Sequence, residues 1–165
     1  LELPASALGR MAVELFRSGG IRGMVGGQWL DLEAEGRTLA LTDLITVHRG
    51  KTGALIRASC TLGAIAAEAR PDEVAALTDY GEDVGLAFQI ADDVLDATGT
   101  SEELGKTAGR DAQLAKSTYV SVMGVEAARA EAERLARRAV EHLDSAGVPS
   151  GALGALARYI VTRKS

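Results

Sequence analysis

The segment from Phe88 to Asp96, FQIADDVLD, concentrates the side chains best suited to chemistry. On a helix turning about 100° per residue, Gln89, Asp92, Asp93 and Asp96 fall within an arc of about 100°. Three carboxylates on one face repel one another, and a cation, protonation or full solvation must relieve that repulsion. Magnesium suits such a face. It takes one or two carboxylates, keeps several waters and completes its octahedron with substrate phosphates. A solvated acidic stripe would show the same three residues, but Phe88, Ile90, Val94 and Leu95 embed this one in an apolar helix.

Two further segments, HRGKTGALIR and LGKTAGRDAQLAKSTY, carry Lys51, Lys106 and Lys116. These ammonium groups are candidate partners for diphosphate oxygens. Any one of them alone reads more simply as an exposed, solubilising side chain. The tripeptide GKT occurs in both segments and invites a P-loop reading, which fails on spacing. A GxxxxGK motif needs glycine at positions 45 and 100, where Ile45 and Thr100 stand, and no strand precedes either. In GMVGGQWLDLEAEG, Gln28 and Asp31 follow a glycine pair that either kinks a helix or permits close backbone approach. His48 and His142 are too isolated in sequence to form a metal pair; His142 lies on a charged amphipathic helix, and His48, beside Arg49, reads as a surface residue ahead of a contributor to an anion site. The single Cys60 excludes an intrachain disulfide and a multi-cysteine metal site, and its apolar surroundings predict a buried, inert thiol.

The elements that must hold these residues read as helices throughout. Apolar residues recur at three-and-four spacing, without a run of period-two alternation. The pattern predicts helices over about 6–17, 21–35 (broken or tightened at Gly26-Gly27), 42–69 (capped by Thr42-Asp43), 72–97, 119–123, 125–146 and 150–163. A polar, glycine-bearing loop joins the fourth to the fifth. A chain of 165 residues with 47% hydrophobic and 25% charged side chains suits one globular domain. The net charge of -5 argues against nucleic acid or an anionic membrane as the main partner. No apolar run reaches membrane-spanning length and no signal peptide is evident, so the cytoplasm is the expected compartment.

In order, GGQWLDLEAEG, HRGKTGALIRAS, GLAFQIADDVLDATGTSEELGKTAGRDAQLAKSTY and the helical tail ALARYIVTRKS resemble the trans-polyprenyl diphosphate synthases. The likeness is greatest to bacterial farnesyl and geranylgeranyl diphosphate synthases and spans essentially all 165 residues. It implies an all-α, isoprenoid-synthase-type helical bundle around a central cavity, with residues 1–165 forming the carboxyl-terminal half of a single polyprenyl synthetase domain. It also implies a Mg2+-dependent prenyltransferase that condenses an allylic diphosphate with isopentenyl diphosphate. Asp92, Asp93 and Asp96 match the second of the family's two aspartate-rich motifs. Lys51 and Lys106 match its diphosphate-binding lysines, and Thr52 and Gln89 match oxygens facing the allylic cation. Phe88 matches an aromatic near the homoallylic substrate, Asp111 and Lys116 a loop closing over the diphosphate, and Gln28 and Asp31 a supporting motif beneath the site.

One departure matters. The chain contains a single DDxxD, at Asp92, and opens at Leu1 in mid-pattern, so a missing upstream half is expected. By itself the polypeptide is then expected to be inactive or nearly so, and to associate with a second copy or with an amino-terminal half. Two other readings share these motifs: a terpene cyclase-like enzyme, and a non-catalytic partner subunit of an active synthase. The retained aspartates and lysines favour a catalytic lineage over the second. A purely structural bundle leaves the ordered motifs unexplained.

Overall fold

A computed structural model of the chain describes residues 2–99 and 116–163. Among them all regular structure is helical. The order is α1 (Ala5–Gly19), α2 (Met24–Glu33), α3 (Leu41–His48), a π-helical segment (Arg49–Gly53), α4 (Ala54–Ala66), α5 (Pro71–Thr98), α6 (Tyr119–Met123), α7 (Val125–Ser145) and α8 (Gly151–Thr162). None of these helices is long and apolar enough to cross a membrane.

The long α5 is the axis around which the rest packs. Pro71 occupies its first turn, where a missing N–H costs nothing. Glu73 Oε2 accepts the Arg70 N–H at 2.8 Å, and Asp72 and Glu73 place negative charge at the positive end of the helix dipole. Antiparallel to α5 runs α7, whose buried stripe Ala128, Ala132, Leu135, Ala139 and Leu143 follows helical spacing. The alanines let the two backbones approach closely. Leu86, Ala87, Ile90 and Val94 meet Leu44, Tyr119, Ala128, Ala132 and Leu135 in one cluster. Tyr80 and Val84 meet Ala136, Ala139, Leu143, Ala157 and Ile160 in the other. Between the clusters the buried Asp83 accepts two hydrogen bonds from the Arg138 guanidinium, with Nε at 2.6 Å, and lies 3.3 Å from His142 Nε2.

Three expectations from the sequence change. The second helix begins at Met24 and runs unbroken through Gly26-Gly27. The predicted single helix over 42–69 is a continuous helical path from Leu41 to Ala66, interrupted by the π-helical turn at Arg49–Gly53. Its amino-terminal cap is Ala40 rather than Thr42-Asp43, although Asp43 still sits in the first turn. The glycine pair therefore serves close approach and not a kink. A Cβ on Gly27 would stand 2.1 Å from the Lys51 nitrogen, and one on Gly85 would stand 2.9 Å from the Gly53 Cα. Bare backbone on α2 and on α5 thus grips the π segment from both sides, and Lys51 and Thr52 ride on it.

Large apolar side chains stand exposed along α1, α2 and the turn between them. Phe16, Ile21 and Trp29 are 79%, 83% and 63% exposed.

Candidate functional site

A cavity of about 270 Å³ opens between α2, the α3–π junction, α5 and the residues leading into α6. Asp31, His48, Lys51, Thr52, Gln89, Asp92, Asp93 and Lys116 contribute its polar lining. Residues from four separate stretches of the sequence therefore converge here, and most of them are the ones the motifs singled out.

Asp31 organises the cationic wall. Its Oδ2 accepts from Lys51 Nζ at 2.7 Å and from Lys116 Nζ at 3.2 Å. Burial alone would raise this carboxyl. The hydrogen bonds and charges of the two lysines outweigh burial and hold it below its ordinary value. Two ammonium groups on one carboxylate leave one positive charge unbalanced on this wall of the cavity. That is a fit for an anion with several oxygens. Gln28, a turn before Asp31, is half-buried on α2 and does not line the cavity.

Thr52 and Gln89 meet across the π segment and α5. Thr52 Oγ1 donates to Gln89 Oε1 at 2.8 Å, tying the two elements together at the cavity wall. Beside them sits His48, only 9% exposed. The expectation of a surface role for His48 is overturned, because Leu44, Val47 and His48 form the buried face of α3. Burial pushes the imidazole down to about 4, against the opposing pull of Gln89 and of the Asp31 charge. The ring is thus neutral at neutral pH. Its edge packs on Tyr119, with centroids 5.7 Å apart.

The three motif aspartates share a helix face but not an environment. Asp92 is half-buried at the rim, with its side chain 43% exposed, whereas Asp93 and Asp96 are buried. Asp93 Oδ2 accepts the Tyr119 backbone N–H at 2.7 Å and so anchors the start of α6. The reciprocal bonds between Thr118 and Ser121 complete that turn. Among the described residues no three acidic, histidine or cysteine side chains cluster closely enough to hold a metal by themselves. The donor set does suit a hard, oxygen-seeking ion that draws its other ligands from water and phosphate. A positive group already stands at Asp92: Arg163 Nη2 lies 3.4 Å from Oδ1.

Arg163 lies in the tail ALARYIVTRKS but is given no role there. It follows α8, and its guanidinium lies over the half-buried Phe88 ring at 4.5 Å from the centroid. Phe88 therefore stands beneath Arg163 rather than in the cavity lining. Lys106 and Asp111 lie outside the described residues. His48 was legible in hindsight from its phase with Leu44 and Val47 on α3, whereas nothing local marks Arg163.

Comparison with known proteins gives a consistent picture. Residues 6–147 match the family model described as "Polyprenyl synthetase". The chain is 46% identical over 157 residues to the farnesyl diphosphate synthase of Escherichia coli (strain K12), covering 93% of this chain and 52% of that protein. The geranylgeranyl pyrophosphate synthetase of Pyrococcus horikoshii Ot3 superimposes with a TM-score of 0.87 at 26% identity, covering 98% of this chain and 61% of that one. A geranyltransferase of Helicobacter pylori, complexed with magnesium and isoprenyl diphosphate, superimposes with a TM-score of 0.77 at 33% identity, covering 96% and 52%. The chain spans about half the length of the curated relatives it matches.

Proposed function

This chain belongs to the polyprenyl synthetase family, and from that premise we propose that it carries the allylic-diphosphate side of a prenyltransferase site. The reaction is the condensation of an allylic diphosphate with isopentenyl diphosphate to a short-chain polyprenyl diphosphate. The observation that carries this reading is the convergence of Lys51, Lys116, Thr52, Gln89 and Asp92 on one cavity.

Mg2+, held by Asp92 with Asp93 and Asp96 as the motif's other carboxylates, would supply positive charge against the leaving diphosphate. Lys51 and Lys116 add ammonium charge to the same end of the substrate. Both are pre-placed on Asp31, which limits the rearrangement that binding requires. The allylic C–O bond breaks with its electron pair leaving on the diphosphate. Thr52 and Gln89, joined at 2.8 Å, offer oxygen dipoles to the cation left behind, and such dipoles act strongly in a water-poor site. Neutral His48 adds no positive charge that would oppose that cation. The isopentenyl double bond then attacks, and a proton is lost to the released diphosphate. No side-chain nucleophile takes part.

The 165 residues hold one DDxxD motif, whereas the resemblance implies two. We therefore expect binding, rather than turnover, to be the property of this polypeptide alone. Titration calorimetry with geranyl thiodiphosphate, which ionises very slowly, tests it in the presence of Mg2+. Lys51→Met should weaken binding by about 10- to 100-fold, the loss of one charge-assisted bond. Glu133→Gln, on the outer face of α7, should leave it unchanged. Equal affinities for Lys51→Met and the unmodified chain would refute the assignment, and product formed at a normal rate would refute the expectation of low turnover.

A further inference from the structure

Arg163 presents an arrangement that the proposed reaction does not use. It lies beyond the end of α8, yet its side chain is only 17% exposed. Its guanidinium reaches the carboxylate of Asp92, 71 residues earlier in the chain, at 3.4 Å. The same group stacks on Phe88, one turn before Asp92 on α5. Phe88 and Asp92 are four residues apart and so lie on one helix face. Together they make a seat with an aromatic floor and an anionic end, which suits a planar cation.

The seat is imperfect. The Arg163 Nε is buried and has no hydrogen-bond partner among the described residues. A buried donor without a partner is costly, and a 3.4 Å contact is at the long end for an ionic hydrogen bond. Asp92 is also the most exposed of the three motif carboxylates, hence the one a cation from solution meets first. From this geometry we infer that Arg163 is an internal counter-ion for Asp92, which a divalent cation must displace in order to bind. The inference rests on the reading of Asp92 as a metal ligand. The contact sets one positive charge against Asp92, and it puts a threshold on metal binding before diphosphate arrives. Loose seating is what allows the exchange, since a fully satisfied bidentate pair would resist it.

Manganese binding followed by electron paramagnetic resonance tests the inference on the unmodified chain, on Arg163→Gln, Arg163→Lys and Asp92→Asn, and on Arg163→Gln combined with Asp92→Asn. Arg163→Gln should bind Mn2+ about three- to tenfold more tightly, the range expected for one partly exposed charge pair. Arg163→Lys should stay near the unmodified chain, because the charge remains. In the Asp92→Asn background the Arg163→Gln change should have no effect. Equal or weaker Mn2+ binding by Arg163→Gln overturns the inference. Unchanged affinity in Asp92→Asn, or no Mn2+ bound by any of the five at millimolar concentration, overturns the metal reading of Asp92 and the inference with it. A measurement without substitution guards against a misfolded variant. The buried Arg163 Nε–Hε resonance should shift or vanish on saturation with Mg2+, and a resonance that stays in place overturns the displacement.

Discussion

Asp31 allows the electrostatics of the cavity to be tested without any ligand. Its carboxylate is 18% exposed and receives Lys51 at 2.7 Å and Lys116 at 3.2 Å. A pair of unit charges about 4 Å apart attracts by about 1 kcal/mol in water and about 4 kcal/mol at an effective dielectric constant of 20. Desolvating the carboxylate offsets much of the larger figure, and the partly exposed lysines favour the smaller one. A net stabilisation of about 1–2 kcal/mol follows for the two pairs together. Asp31→Asn keeps the shape and removes the charge, leaving two ammonium groups facing each other. It should therefore unfold with about 1–2 kcal/mol less free energy at pH 7.

The sign of the pH dependence follows from the depressed acidity. The folded carboxyl titrates below its ordinary value of 3.8, so the unfolded chain takes up a proton first as pH falls. The stabilisation is complete above about pH 5 and is lost as pH drops through that ordinary value toward the folded one. Urea unfolding followed by circular dichroism at pH 7, 5 and 3 should show the gap between the two proteins intact at the first two and narrowed at the third. No gap at pH 7, or an unchanged gap at pH 3, would show that Asp31 does not hold the lysines through its charge.

Four further outcomes are expected. His48 is held at about 4 against an ordinary 6.5, so its neutral burial favours the fold above pH 6.5 and loses that advantage as pH falls toward 4; His48→Asn should flatten the stability profile in that window and not below it. Arg138→Ala leaves the buried Asp83 carboxylate with His142 as its remaining neighbour and should cost about 3 kcal/mol in urea unfolding, more than Asp83→Asn, which leaves only a 41% exposed guanidinium to be resolvated. Gly27→Ala drives a methyl into the Lys51 backbone and should both lower the thermal midpoint and weaken diphosphate binding, whereas Gly63→Ala, with open space at its Cβ, should raise the midpoint slightly. Glu68 holds a φ of 53° after α4, and Glu68→Gly should raise stability by a few tenths to about 1 kcal/mol, read as a higher urea midpoint.

What the sequence determined by itself is mostly what short-range physics controls. Helical periodicity was enough to place α5 and α7, expected over 72–97 and 125–146, because winding and amphipathicity are set by residues within about four positions of one another. The spacing of Gln89, Asp92, Asp93 and Asp96 likewise puts them on one face before any packing is known. Lys51, Thr52 and Asp31 were legible as site residues through their motifs, but not as partners. Tertiary structure decided the pairings, since each joins side chains that only packing brings together: Lys116 to Asp31 across 85 residues, Asp93 to the Tyr119 N–H across 26 and Arg163 to Asp92 across 71. It also decided the π segment, whose winding is fixed by α2 and α5 closing on Gly50 and Gly53. His48 shows the difference most plainly. A histidine beside an arginine reads as surface until α3 is packed, and burial among Leu44, Val47 and Tyr119 then makes it a neutral wall of the cavity.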